Sequence, residues 1–235
     1  MKGNLYLIPV PIAEDDFSSL VYPMLETTVN ALDEFIVEDI KTARRALRKI
    51  GFKNEFDKTI FHVLNEHTDL KNISTFLSSA EKGKSIGLMS EAGMPCIADP
   101  GSEIVKLAHK KNIKVVSMYG QSSIFLALAS SGMNGQYFCF HGYLPKTQSE
   151  RKKKLKELER NIFNHSQTQI VIETPYRNNH LLEDIIASCS DETLLCIAAD
   201  ITGKSEMIIT RPIEAWRSGA LPDLSKLPTV FLLGR

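Results

Sequence analysis

Short apolar runs alternate with helix-like segments along the first half of the chain. The runs at residues 5–10, 86–89 and 114–118 have the length of strands, and each ends in a turn. Segments with apolar residues at helical spacing lie between them, as at residues 102–111. Repeated strand–turn–helix units are typical of right-handed crossovers, so the pattern predicts an α/β fold with a mostly parallel amino-terminal sheet.

The rest of the pattern adds further elements. We expect additional helices at residues 23–31, 41–49, 70–79, 124–131, 149–161 and 179–188. We expect additional strands at residues 35–39, 137–143, 169–173, 194–199, 207–212 and 229–233. We expect residues 61–69 to be helical. His62 and His67 are five residues apart, so on a helix their side chains diverge too far to form a pair of metal ligands.

Composition narrows the class of protein. The 235 residues include 28 Lys and Arg and 28 Asp and Glu, so no global basic field exists to bind nucleic acid unspecifically. The four cysteines lack metal-binding spacing and are typical of a reducing compartment, and no metal is expected. No apolar run approaches the ~20 residues of a membrane span, and the amino terminus does not resemble a signal peptide. We therefore expect a cytoplasmic protein.

The most informative stretch is residues 88–101, LMSEAGMPCIADPG. An apolar run ends in a turn of small residues, and a helix start follows, with Asp99 as the N-cap and Pro100 at the first helical position. In open α/β sheets ligands bind at the carboxyl ends of strands, where such turns expose backbone groups. An ordinary strand–loop–helix connection would show the same pattern.

This stretch resembles the central motif of the tetrapyrrole methylase-like (class III) S-adenosylmethionine (SAM)-dependent methyltransferases. It is most similar to the bacterial subfamily that methylates a ribose 2′-hydroxyl of small-subunit ribosomal RNA. The family pattern is roughly S-D-A-G-T-P-G-I-S-D-P-G, and eight residues match it: Ser90, Ala92, Gly93, Pro95, Ile97, Asp99, Pro100 and Gly101. Four residues depart from it: Glu91, Met94, Cys96 and Ala98.

The resemblance extends over essentially the whole chain and implies two α/β domains, residues 1–143 and 144–235, with a mixed sheet in the second and a SAM cleft between them. It implies that one wall of the donor site is formed by Pro11, Gly93, Met94, Pro95, Ile97, Ser122 and Ser123. It implies that the other wall is formed by Glu173, Thr174, Ala198 and Ala199. The absence of a GxGxxG fingerprint argues against a Rossmann-type enzyme.

Some positions differ from the family where the acceptor would bind. Ala13-Glu14 replaces a Gly-Asn pair, which could adopt positive φ more readily, and Tyr119 and Gln121 replace two prolines. The acceptor therefore follows less directly from the resemblance than the donor does.

Transfer to a ribose hydroxyl benefits from a general base, because the pKa of that hydroxyl is high. Glu66, Glu91 and Arg177 occupy matching positions and are the catalytic candidates, and Glu173 and Lys204 could also contribute a base and a phosphate contact. Asp39 is expected to cap a helix and Glu38 to be solvated or paired with Arg44 or Arg45. The run at residues 151–154 could bind phosphates or form a solvated face.

The sequence thus predicts a SAM-dependent methyltransferase that acts on small-subunit ribosomal RNA. Two alternatives stay open: a tetrapyrrole methyltransferase, and a SAM-binding protein without catalytic activity. The expected partner is ribosomal RNA or the small ribosomal subunit, no membrane is involved, and a homodimer is implied by the resemblance alone.

Overall fold

The computed structural model describes residues 1–13, 21–65, 67–69, 71 and 73–235 of the protein. The chain divides into two compact units, Met1–Ser122 and Ser123–Arg235. This division comes earlier in the chain than the boundary expected between residues 143 and 144. The helix and the strand between residues 123 and 143 belong to the second unit because they pack on and pair with its sheet.

The first unit is built on a five-stranded parallel sheet. Its strands are β1 (Asn4–Ile8), β2 (Glu34–Val37), β3 (Ile60–Val63), β4 (Ile86–Met89) and β5 (Lys114–Ser117). They lie in the order β3-β2-β4-β1-β5, and every neighbouring pair is parallel. Its helices are α1 (Pro23–Asn30), α2 (Ile40–Ile50), α3 (Ser78–Glu81) and α4 (Gly101–Lys110). The predicted parallel sheet is confirmed.

Helix α2 shows how the sequence determines a local element. The Asp39 carboxylate accepts a 2.8 Å hydrogen bond from the Thr42 N–H and caps the helix, as expected. Gly51 ends the helix at φ +102°, a conformation that glycine adopts without steric cost. Leu47 packs with Phe35 in a core on one face of the sheet, and complete burial of such side chains contributes about 1.5–3 kcal/mol each.

Two predicted features of the first unit were wrong. Residues 70–79 do not form one amphipathic helix: a 3₁₀ turn, Ile73–Thr75, and the short helix α3 occupy the described part of this segment, while Leu70 and Asn72 lie outside the described residues. Residues 61–63 belong to strand β3 and not to a helix. The short apolar run of β3 is interrupted by His62 and followed by polar residues, and such a run does not separate strand from helix.

The second unit is built on a mixed sheet, as expected. Its strands are β6 (Phe138–Tyr143), β7 (Thr168–Glu173), β8 (Leu194–Ala199), β9 (Met207–Pro212) and β10 (Thr229–Gly234). They lie in the order β6-β7-β10-β8-β9; the first pair is parallel and the other three are antiparallel. Its helices are α5 (Ser123–Ser131), α6 (Gln148–His165), α7 (Asn178–Ser188) and α8 (Ile213–Ser218). Within the described ranges, no helix is both long enough and apolar enough to cross a bilayer.

Candidate functional site

Three loops meet where the strands of the parallel sheet have their carboxyl ends. We call these loops, residues 9–13, 90–100 and 118–122, the carboxyl edge. Val10 and Gly93 form an antiparallel bridge, with N–H···O distances of 3.0 and 2.8 Å. The Ile12 N–H donates to the Gln121 Oε1 atom at 3.3 Å. These contacts tie the loops that follow β1, β4 and β5 into one structure.

Gly93 is required by the geometry of this carboxyl edge. Its φ is +72°, in the left-handed region that residues with a side chain avoid. A Cβ atom added there would lie 3.4 Å from the Gln121 carbonyl oxygen and 3.9 Å from Ile12 Cγ1. A larger side chain would therefore extend into the space where the three loops meet.

The loop after Gly93 is held by one carboxylate. The Asp99 carboxylate accepts hydrogen bonds of 2.7 Å from the Cys96 and Gly101 N–H groups. The expected N-cap role is wrong, because α4 begins at Gly101 and its N-cap is Pro100. Cys96 and Ala98 have φ values of +72° and +64°, which strains residues that are not glycine. Burial raises the pKa of Asp99 above its usual range, and burial together with Asp99 raises the pKa of the Cys96 thiol to about 11. The thiol is therefore protonated at neutral pH.

A second group of carboxylates lies beside this loop. The Thr42 hydroxyl donates a 2.6 Å hydrogen bond to Glu91 Oε1, and the Glu91 N–H donates to Glu38 Oε1 at 3.3 Å. Burial raises the pKa of Glu38, and the negative charges of Asp99 and Glu91 raise it further against the effect of that hydrogen bond. Glu38 is thus neither fully solvated nor paired with Arg44 or Arg45 through any described contact.

Two cavities open at the carboxyl edge, and Glu91 lines both of them. One, of about 430 Å³, is lined by Glu38, Asp39, Asn65, Glu91 and Pro100. The other, of about 220 Å³, is lined by Val10, Pro11, Ile12, Thr42, Arg45, Ala46, Lys49, Glu91 and Ala92. A carboxylate between a polar and a partly apolar cavity can contact a ligand in either one.

The first-unit residues predicted to bind the donor lie in or beside these loops. Pro11, Gly93 and Pro95 are buried, Met94 and Ser122 are half-buried, and Ile97 is 39% exposed. Exposed apolar surface next to backbone amides fits the adenosyl portion of SAM, so the residues present are compatible with the donor. Two residues that the sequence singled out, Glu14 and the catalytic candidate Glu66, lie outside the described residues.

The second-unit candidates occupy three environments. Glu173 is buried, accepts a 2.8 Å hydrogen bond from the Thr174 N–H and forms an ion pair with Arg177. Ala198 and Ala199 are completely buried in strand β8, between β9 and β10. Ser123 begins α5 and is half-buried. These donor-site assignments stay predictions.

The basic run at residues 151–154 was expected to bind phosphates or to form a solvated face, and its first residue does neither. Arg151 is buried, and its Nε and Nη2 atoms both donate hydrogen bonds to Asp184 Oδ2, at 2.8 and 2.5 Å. It also donates to the Lys146 carbonyl oxygen at 2.9 Å. Burial alone would raise the pKa of Asp184, but hydrogen bonds from Gln148 and Arg151 lower it below its usual range. Arg151 is a structural residue and neither a phosphate ligand nor part of a solvated face.

The sequence did not indicate that Thr42 and Glu38 form hydrogen bonds with Glu91 in this site. They are 49 and 53 residues from Glu91 along the chain, so no local pattern connects them. The one available signal was topological: Glu38 follows β2, and the carboxyl ends of parallel strands meet at the same edge of a sheet.

Comparisons with known proteins agree with this architecture. The family profile described as Tetrapyrrole (Corrin/Porphyrin) Methylases matches residues 10–215. The ribosomal RNA small subunit methyltransferase I of Buchnera aphidicola (subsp. Schizaphis graminum) is 33% identical over 88% of this chain and 68% of its own length. The protein of the same name from Haemophilus influenzae is 30% identical over 95% of this chain and 75% of its own length.

Solved structures show the same fold. The methyltransferase CobJ superposes with a TM-score of 0.65 at 17% identity, over 99% of this chain and 94% of its own. Uroporphyrin-III-C-methyltransferase from Thermus thermophilus superposes with a TM-score of 0.56 at 14% identity, over 100% of this chain and 93% of its own. Together with the family profile and the sequence relatives, this fold places the chain in the tetrapyrrole methylase family of methyltransferases, with SAM as the methyl donor.

Proposed function

We propose that this methyltransferase modifies a ribose 2′-hydroxyl of small-subunit ribosomal RNA. The observation that carries the proposal is the match over most of the chain to relatives named for that RNA. Three of them, from Buchnera, Haemophilus influenzae and Escherichia coli O157:H7, are 33%, 30% and 28% identical over 88%, 95% and 90% of the chain. The structure adds residues at the carboxyl edge that suit the reaction.

The donor would be held by the carboxyl edge of the first unit. When bound, SAM supplies an electrophilic methyl group carried on a sulfonium. Gly93 keeps the space beside Ile12 and Gln121 open, and the exposed Ile97 offers apolar surface for the adenosyl group. Backbone carbonyl groups of these turns suit the polarised C–H groups next to a sulfonium, and their N–H groups suit the adenine and carboxylate. Of the second unit, the backbones of Glu173, Thr174, Ala198 and Ala199 stay as candidate contacts.

Glu91 is the residue we assign to the proton of the acceptor hydroxyl. Its Oε1 atom is fixed by Thr42, and its side chain is exposed to both cavities of the edge. A carboxylate oriented in this way can accept the proton of the acceptor hydroxyl, a contribution of about 10²–10⁴-fold. Arg177, already paired with Glu173, and Glu66 stay as further candidates from the sequence.

We also infer a cytoplasmic homodimer. The cytoplasmic location follows from the proposed ribosomal substrate, and the dimer follows from the family resemblance. Light scattering after size-exclusion chromatography tests the dimer directly, because a monomer elutes with the mass of 26.3 kDa given by the sequence.

The test of the function uses labelled SAM and purified small ribosomal subunits from a host strain that lacks this gene. We expect label in the RNA, recovered after nuclease digestion as a 2′-O-methylnucleotide. Subunits from the parent strain, already modified, serve as the matched control and should accept far less label. Absence of label beside clear SAM binding would contradict the proposal, and transfer to a tetrapyrrole in the same assay would identify the alternative acceptor.

A further inference from the structure

Helix α2 carries five cationic side chains and no acidic one, and four of the five form two pairs. The cations are Lys41, Arg44, Arg45, Arg48 and Lys49. The Arg44 guanidinium lies 5.3 Å from the ring centres of both Phe56 and Phe61, and that of Arg48 lies 4.2 Å from the ring centre of Phe56. These two arginines stabilise the first unit through cation–π contacts.

Arg45 and Lys49 lie on a different side of α2. They are four residues apart, so their side chains are neighbours on the helix surface. Both are exposed, and both line the cavity of about 220 Å³ that also contains Pro11 and Glu91. Within the described part of the chain, Arg45 makes no hydrogen bond or ion pair.

We propose that Arg45 and Lys49 bind backbone phosphates of the RNA strand that carries the acceptor nucleotide. The inference rests on the proposed function and names the residues that hold its substrate. Lys and Arg neutralise backbone phosphates and thereby provide a large share of the affinity of proteins for nucleic acids. Because the whole chain has no net charge, RNA binding requires a local group of cations such as this one.

The position of the pair within the cavity supports this assignment. Glu91, the proposed proton acceptor, lines the same cavity, whose remaining wall includes apolar side chains of Val10, Ile12 and Ala46. A nucleotide has a phosphate, a ribose hydroxyl and apolar ring surface, which correspond to the cations, the carboxylate and the apolar wall. The acceptor nucleotide therefore matches the cavity in each of its chemical parts.

The test compares two double variants that remove the same charge from the same unit. R45Q/K49Q removes the proposed phosphate ligands. The control, K82Q/K84Q, removes two exposed lysines that precede β4. They lie at the amino-terminal ends of the parallel strands, opposite the carboxyl edge. Methyl transfer to unmodified small subunits is measured over a range of salt concentrations, and S-adenosylhomocysteine binding is measured by calorimetry.

For R45Q/K49Q we expect the KM for subunits to rise about tenfold or more, with S-adenosylhomocysteine affinity unchanged. The slope of log(kcat/KM) against log salt should fall by about two, roughly one for each phosphate that the variant no longer neutralises. An unchanged KM and slope would overturn the inference, as would an equal change in K82Q/K84Q. If the wild-type protein itself transfers no methyl group to subunits, the proposed function fails instead.

Discussion

The two units use carboxylates in opposite ways. At the carboxyl edge of the first unit, Glu38 and Glu91 lie side by side, and the pKa of Glu38 is raised by burial and by its acidic neighbours. In the second unit, Asp184 is buried against Arg151 and Gln148, and its pKa is lowered by their hydrogen bonds. Clustered like charges cost stability, whereas the paired charge is part of the fold.

This difference separates residues that serve the reaction from residues that serve the structure. A carboxylate at the opening of a cavity can contact a substrate, while a carboxylate in a buried ion pair cannot. Substitutions of Arg151 and Asp184 are therefore expected to affect stability, and substitutions of Gly93 and Glu91 to affect activity.

The largest effect is expected from Gly93→Arg, which disrupts the carboxyl edge without changing the Arg151–Asp184 pair. The new side chain would occupy the space beside Ile12 and Gln121, and we expect S-adenosylhomocysteine binding to be lost in calorimetry. Gly132→Arg is the matched control, because Gly132 has almost the same φ, +73°, and nothing within 4 Å of an added Cβ. Tight binding by the Gly93 variant would refute the donor-site assignment.

Glu91→Gln should lower kcat about 10²–10⁴-fold with little change in donor affinity, because the amide keeps the Thr42 hydrogen bond but cannot accept the hydroxyl proton. Single-turnover methyl transfer measures the rate, and Glu103→Gln on the exposed face of α4 is the control. An active Glu91→Gln enzyme would mean that another group, such as Glu66 or Glu38, accepts the proton.

Asp184→Ala should destabilise the protein by about 3–5 kcal/mol, because it leaves the Arg151 guanidinium buried without its partner. Urea unfolding measures the loss. Replacing both residues, in Arg151→Met/Asp184→Leu, should recover most of it, and Glu157→Ala in the exposed Lys154–Glu157 pair should change stability far less. Wild-type stability in Asp184→Ala would show that the pair is not structural.

The smallest effects are opposite responses to pH. The folded-state pKa of Asp184 is lowered, so its contribution to stability is present above the unfolded value of about 3.9 and is lost as the pH falls through the folded pKa. The pKa of Glu38 is raised, so its ionised form destabilises the fold at neutral pH, and this cost shrinks below the folded pKa and disappears below the unfolded value of about 4.3.

Urea midpoints measured from pH 7 to pH 3 test this pair of responses. Glu38→Gln should be more stable than wild type at pH 7, with a difference that shrinks on acidification. The destabilisation of Asp184→Ala should shrink only below about pH 4. Parallel pH profiles for the two variants would contradict the division between the units.

The sequence predicted most of the regular fold. Strands β8 and β9 were predicted with the bounds that the structure has, because polar turn residues precede each apolar run and Pro212 ends the second. Strand β3 was missed because its short apolar run is interrupted by His62 and does not separate strand from helix, and α5 and β6 were assigned to the wrong side of the division because pairing partners cannot be read from local pattern.

The loops that form the site could be predicted from the sequence, but the contacts between them could not. The turn at Gly93 and a helix start close to Asp99 follow from local sequence, although the N-cap is Pro100 and not Asp99. The hydrogen bond from Thr42 to Glu91 and the burial of Arg151 against Asp184 depend on packing between distant segments. The charged run at residues 151–154 therefore did not indicate that Arg151 is buried.

The central claim is that this chain methylates a ribose of small-subunit ribosomal RNA through the carboxyl edge of its first unit. The most direct measurement is a map of 2′-O-methylation across that RNA from a strain lacking the gene, complemented with wild type, Gly93→Arg or Gly132→Arg. We predict that one ribose methylation disappears with the gene and returns with wild type and Gly132→Arg but not with Gly93→Arg. A map that does not change when the gene is removed would contradict the account.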